Sequence, residues 1–86
     1  MKFQYALRRG ASELDDIKRK AAYKMMQFQG DNTRGTFSGG IHLLGTAIEG
    51  KYTISGDTIF MNVWKKPNQF SWEQVDEMLR ELIVNG

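Results

Sequence analysis

The segment Gly45-Thr-Ala-Ile-Glu-Gly50-Lys51-Tyr52 comes within one residue of the phosphate-binding loop G-x-x-x-x-G-K-[ST]. In that loop, backbone N–H groups cradle the phosphates, the lysine reaches the outer phosphates and a Ser or Thr hydroxyl holds magnesium. Tyr52 stands where the hydroxyl belongs. The loop also needs a strand before it and a helix after it, whereas β alternation runs straight through this segment. The match reads as a coincidence of strand composition. His42 is the one histidine, and cysteine is absent. Zinc sites and histidine-based catalysis want partners at fixed spacing, so no metal site, cofactor or catalytic residue is expected. Glu49 and Asp57 are carboxylates of a kind that acid–base chemistry uses, yet nothing in the sequence brings them together. The glycines over residues 35–45 suit an anion cradle, and loop geometry accounts for them more simply.

Phe60 and Trp64 make a different kind of candidate. They fall on the polar face of a β-hairpin with Lys51, and Lys65 and Lys66 follow. Aromatic rings among lysines on a sheet can stack bases or hold a ligand. The competing account covers the rings with the strand at residues 33–37, with a twisted edge, or with a dimer partner. Lys51, Phe60, Trp64, Lys65 and Lys66 are therefore the candidate binding residues.

The hairpin that positions them is the most explicit element of the chain. Gly56-Asp57 lies between two β-rich runs and suits a two-residue type II′ turn. On that register Ser55 faces Thr58, Ile54 faces Ile59, Tyr52 faces Met61 and Gly50 faces Val63. Alternation then places Ile48, Tyr52, Ile54, Ile59, Met61 and Val63 on the core face. The other face carries Ala47, Glu49, Lys51, Thr53, Phe60, Asn62 and Trp64. Pro67 cannot donate to a ladder and ends the second strand.

Before the hairpin, Phe3, Tyr5 and Leu7 alternate with Lys2, Gln4 and Ala6 as a first strand. Ser12 suits an N-cap, and Leu14, Ile17, Ala21, Met25 and Phe28 form an apolar stripe at helical spacing. The spacing predicts a helix over 13–29, ended by Gly30 and helped by pairs Asp15–Arg19 and Asp16–Lys20. A turn at residues 30–32 leads to a short strand at 33–37, and residues 41–44 resume it or bridge to the hairpin. After the hairpin, Ser71 and Gln74 form a capping box, and Phe70 and Val75 a hydrophobic staple. They open a helix over residues 72–84. The expected fold is one α+β domain over residues 1–86. It is a two-layer β-α-β-β-β-α arrangement, with an antiparallel sheet of three or four strands and both helices packed on one face.

Eighty-six residues suffice for a core without disulfides or metal. No stretch of about 18 apolar residues occurs and no signal peptide is evident, so no membrane partner and a cytoplasmic location are expected. The net charge is +2. Residues 1–34 hold eight Lys/Arg against four Asp/Glu, and residues 35–86 four against six. The second helix, with Glu73, Asp76, Glu77 and Glu81, should attract the first, with Lys18, Arg19, Lys20 and Lys24.

Gly30-Asp31, Phe37-Ser38-Gly39, Gly45, Gly50, the Tyr52-x-Ile54-x-Gly56-Asp57 turn and Lys66-Pro67 form a pattern. It resembles the putative polyhydroxyalkanoic acid system family, over roughly residues 30–83. The resemblance implies strand, helix, glycine-punctuated strands and C-terminal helix in a small, non-enzymatic bacterial cytoplasmic protein, with no catalytic residues to carry over. The functional expectation is a non-catalytic accessory module that binds a protein partner, as yet unknown, or self-associates as a homo-oligomer. One alternative is a nucleic-acid-binding module. An α-β-β-β-α core is similar in outline to the double-stranded-RNA-binding domain, but the acidic start of the second helix, Trp72 to Glu77, would repel phosphate. The other alternative is a small-ligand binder using the sheet face around Phe60 and Trp64.

Overall fold

Alternation builds the first strand: Phe3 and Tyr5 turn inward while Lys2, Gln4 and Ala6 are exposed, giving β1 (Lys2–Ala6). The computed structural model describes residues 1–39 and 48–84. After β1 come a 3-10 turn (Gly10–Glu13), α1 (Leu14–Tyr23), β2 (Met26–Gly30), β3 (Arg34–Gly39), β4 (Ile48–Ser55), β5 (Thr58–Lys65) and α2 (Trp72–Ile83). The strands form one antiparallel sheet in the order β1-β5-β4-β3-β2. Leu14, Ile17 and Ala21 of α1 and Val75, Leu79, Leu82 and Ile83 of α2 join Tyr5, Phe37, Tyr52, Ile59 and Met61 in one core. The expected two-layer α+β arrangement is present, with five strands rather than three or four.

The additional strand is β2. The helix expected over residues 13–29 begins at Leu14 and stops at Tyr23. Ser12 does not cap it; from within the 3-10 turn, Ser12 Oγ donates to the Arg9 carbonyl at 2.6 Å. Met25 takes φ +61, and the chain reverses there. Met26 and Phe28 then face inward and Gln27 and Gln29 outward. Over so short a run, apolar residues fit both the helical and the strand period. Packing decides between them: the Phe28 ring stacks 5.4 Å from Phe37 and lies 5.7 Å from Tyr52. The expected Asp15–Arg19 and Asp16–Lys20 pairs give way to a single shared carboxylate, with Asp16 pairing to Arg9 and to Arg19.

The β4–β5 hairpin has the register that alternation requires, Ser55 opposite Thr58 through Gly50 opposite Val63. Gly56 has φ +59, as the first central residue of a type II′ turn needs. Glu49 then faces Lys65, so Trp64 has no opposite residue and β5 is bulged there. The strand expected at residues 33–37 runs from Arg34 to Gly39. The expectations for residues 41–44, for His42, for Gly45 and Ala47, and for the last two residues lie outside the described residues.

The capping box of α2 is formed as expected. The Gln74 N–H donates to Ser71 Oγ at 3.1 Å and the Ser71 N–H to Gln74 Oε1 at 2.8 Å. Phe70 packs against the core beside it. Tyr5 ties β1 to α2: its hydroxyl donates to Asp76 Oδ1 at 2.7 Å, and Arg80 lies over its ring at 5.6 Å while pairing with Asp76 at 3.4 Å. Burial, and then the Asp76 carboxylate, push the Tyr5 phenol above its ordinary range, so it stays a donor. The side of α2 turned from the core exposes Glu73, Glu77 and Glu81. Among the described residues no ion pair joins the two helices, which meet through the core.

Two glycines make room for rings. Gly50 faces Phe37 and Gly35 faces Tyr52 across the β3–β4 pair. A Cβ on Gly50 would sit 2.6 Å from Phe37 Cζ and 2.4 Å from the Asn62 carbonyl oxygen. A Cβ on Gly35 would sit 2.7 Å from the Tyr52 ring. Because part of each clash is with backbone or a packed ring, Gly50→Ala should cost about 1–3 kcal/mol, read as a lowered denaturation midpoint.

The β2–β3 turn depends on Asp31. Its Oδ1 accepts from the Thr33 hydroxyl at 2.7 Å, the Thr33 N–H at 2.8 Å and the Arg34 N–H at 3.0 Å. These bonds, the Thr33 hydroxyl first, lower its pKa to about 2. A carboxylate whose pKa falls on folding stabilises the fold fully above its unfolded value, and that contribution is lost as pH falls through the folded value. Melting curves of wild type and Asp31→Ala should therefore differ most above about pH 4. The difference should narrow as pH approaches about 2.

Candidate functional site

The helices cover one face of the sheet and leave the other to solvent. Cross-strand pairing fixes which residues share that open face, because directly paired residues point the same way. One row reads Gln4, Phe60, Thr53, Arg34; the next reads Lys2, Asn62, Lys51, Thr36, Gln29. A third brings Glu49 between Lys65 and Ser38. Strand spacing of about 4.8 Å puts the Lys2 and Lys51 backbones about 10 Å apart, on either side of Asn62.

Phe60 is 41% exposed and sits on this surface between Gln4 of β1 and Thr53 of β4. A depression of about 400 Å³ opens there, lined by Phe60, Lys2, Gln4, Lys51, Thr53 and Asn62. The ring offers a flat apolar contact. Asn62 and Gln4 offer amide donors and acceptors, and the two lysines offer positive charge at opposite sides. Such a set can hold a planar group carrying or adjoining a negative charge. Among the described residues no three His, Cys, Asp or Glu side chains gather as they would around a metal ion.

The five residues singled out from sequence separate here. Lys51 and Phe60 come together in the depression. Trp64 is 57% exposed at the bulge, four residues and about 13 Å along the strand from Phe60. Among the described residues no strand lies over either ring: β3 runs beside β4 within the sheet rather than across it. Lys65 pairs with Glu49 at 3.2 Å at the margin of the face. Lys66 leaves the group altogether. Its Nζ donates to the Phe70 carbonyl at 2.6 Å and lies 5.3 Å over the Trp72 ring, so it secures the connection into α2.

Lys2, Gln4 and Arg34 belong to the face and are not apparent from the hairpin alone. The signal for the first two lies in the alternation of β1, with Lys2 and Gln4 opposite in phase to Phe3 and Tyr5. Only the pairing of β1 with β5 puts them beside Phe60. The phosphate-loop reading is excluded by geometry, since Gly50, Lys51 and Tyr52 lie inside β4 where such a loop would start a helix.

Comparison with protein-family models, with curated proteins and with solved structures finds no match. Among the described residues no helix is long and apolar enough to cross a membrane.

Because Lys66 is engaged with Phe70 and Trp72, Lys66→Met should act on stability rather than on the open face. Thermal denaturation should show a loss of about 1 kcal/mol, with binding at Phe60 unaltered.

Proposed function

We propose that this chain is a non-catalytic binding module that takes single-stranded nucleic acid on the open face of its sheet. The observation that carries the reading is Phe60, exposed in a depression that Lys2 and Lys51 also line. Exposed rings stack on bases without regard to sequence, and flanking cations follow the phosphates. Trp64 supplies a second ring along the same strand, and Arg34 a further cation on the same face. Glu49 is the acidic residue of these rows and is already paired with Lys65.

Charge weighs against self-association through this surface. A two-fold pair would set Lys2, Lys51 and Arg34 of one copy against the same residues of the other. An acidic protein segment satisfies the cations and leaves the exposed rings less well explained.

Fluorescence anisotropy of a labelled single-stranded oligonucleotide distinguishes these readings. Binding should be measurable at low salt and fall steeply as salt is raised. Phe60→Ala should weaken it by about tenfold, in keeping with the loss of one stacked base, and Lys51→Ala should lower the salt slope by about one. No binding at low salt would sink the proposal. Binding that polyglutamate displaces as readily as oligonucleotide does, and that Phe60→Ala leaves unchanged, would favour the acidic-protein reading instead.

A further inference from the structure

A second depression, of about 500 Å³, lies between the end of β1, the 3-10 turn, α1 and the end of α2. It shares no lining residue with the depression at Phe60. Four cations line it, Arg8, Arg9, Arg19 and Lys20, against two carboxylates, Glu13 and Asp16. Tyr23, Ile83 and Val84 supply an apolar side.

The carboxylates organise the cations without neutralising them all. Asp16 accepts from Arg9 Nη2 through one oxygen and from Arg19 Nη1 through the other, the second at 3.2 Å. The hydrogen bond from Arg9, ahead of the other effects, holds the Asp16 carboxyl below its ordinary range. Glu13 Oε1 accepts from the Arg9 backbone N–H at 2.9 Å. A guanidinium carries five N–H donors, so Arg9 and Arg19 are fixed in place by Asp16 and keep donors to spare. Neither the Arg8 nor the Lys20 side chain makes a hydrogen bond or a close ion pair among the described residues, although Lys20 adds to the positive field at Asp16. Two positive charges are left over at the depression, matched by one dianion. Tyr23, 86% exposed beside them, presents a ring with no packing partner among the aromatic contacts of the described residues.

We infer that this depression binds a phosphate monoester carried on an aromatic ring. At neutral pH such a phosphate is close to a dianion, and guanidinium forks match its oxygens in geometry as well as charge. Arg8 and Lys20 take the phosphate, with the free donors of Arg9 and Arg19 beside them. The aromatic ring lies against Tyr23 and Val84. The site stands independently of the open sheet face.

The test is titration of the full chain with phenyl phosphate, followed by backbone amide shifts in NMR, with inorganic phosphate and phenol as comparison probes. Phenyl phosphate should shift Arg8, Lys20, Tyr23 and Val84 and should bind more tightly than either comparison probe. The double substitution Arg8→Gln/Lys20→Gln should weaken it at least about tenfold, while leaving the Arg9–Asp16–Arg19 pairing and the rest of the spectrum intact. If that variant does not fold, Arg8→Gln alone should weaken binding several-fold. Tyr23→Ala should bring phenyl phosphate down to the affinity of inorganic phosphate, and Phe60→Ala should leave the phenyl phosphate shifts at Arg8, Lys20 and Tyr23 as they are. Absence of shifts at millimolar probe, shifts centred on Lys51 and Phe60, or undiminished binding in the charge variants would each overturn the inference.

Discussion

The sheet rests on a steric condition: two rings occupy the space that two side chains would otherwise fill. Phe37 lies across Gly50, and Tyr52 across Gly35. Both rings turn inward, where Phe28 stacks on one and tilts against the other. This aromatic group forms the part of the core that β2, β3 and β4 share, and without it β2 would have little reason to leave the helix. The Tyr52 hydroxyl, at the outer end of the group, donates to the Asp31 carbonyl at 2.8 Å and so joins the rings to the β2–β3 turn. With the large rings of these strands committed inward, the opposite face is left to lysine, threonine and amide side chains, and Phe60 becomes conspicuous there.

Local rules carried the reading furthest where the signal was complete within a few residues. Gly56-Asp57 determined the hairpin register, and Ser71 with Gln74 the start of α2. Neither depends on what the rest of the chain does. The apolar residues from Met25 to Gln29 satisfy two periods at once, so their spacing alone points to helix where the structure has β2. The deciding contact, Phe28 on Phe37, joins residues whose pairing no local rule encodes. Ser12 shows the same limit, since a good capping residue caps only if the helix begins beside it, and the 3-10 turn intervenes.

The open face was half legible. Alternation along β5 put Phe60 on the side opposite the core, and Lys51 followed from the hairpin register. Lys2, Gln4 and Arg34 required knowledge of which strands flank the hairpin. Lys66 follows Lys65 in sequence, yet beyond the end of β5 the alternation rule no longer applies, and the lysine serves Phe70 and Trp72. The basic depression at the end of β1 had no signature in spacing. Its cations come from two separate segments that the fold alone brings together.

The exposed glutamates of α2 have a bearing on how the molecule moves. Glu73, Glu77 and Glu81 lie on the side of the helix layer that faces away from the sheet, while Lys2, Lys51 and Arg34 lie on the sheet's outer side. Lys18, Arg19 and Lys20 of α1 share the helix layer, so its excess of negative charge is confined to the α2 side. In the field of any polyanion such a body experiences a torque before contact, and it turns its α2 side away. Orientation toward a polyanion is then partly set during diffusion rather than by repeated collision, a bias that added salt removes as the field is screened.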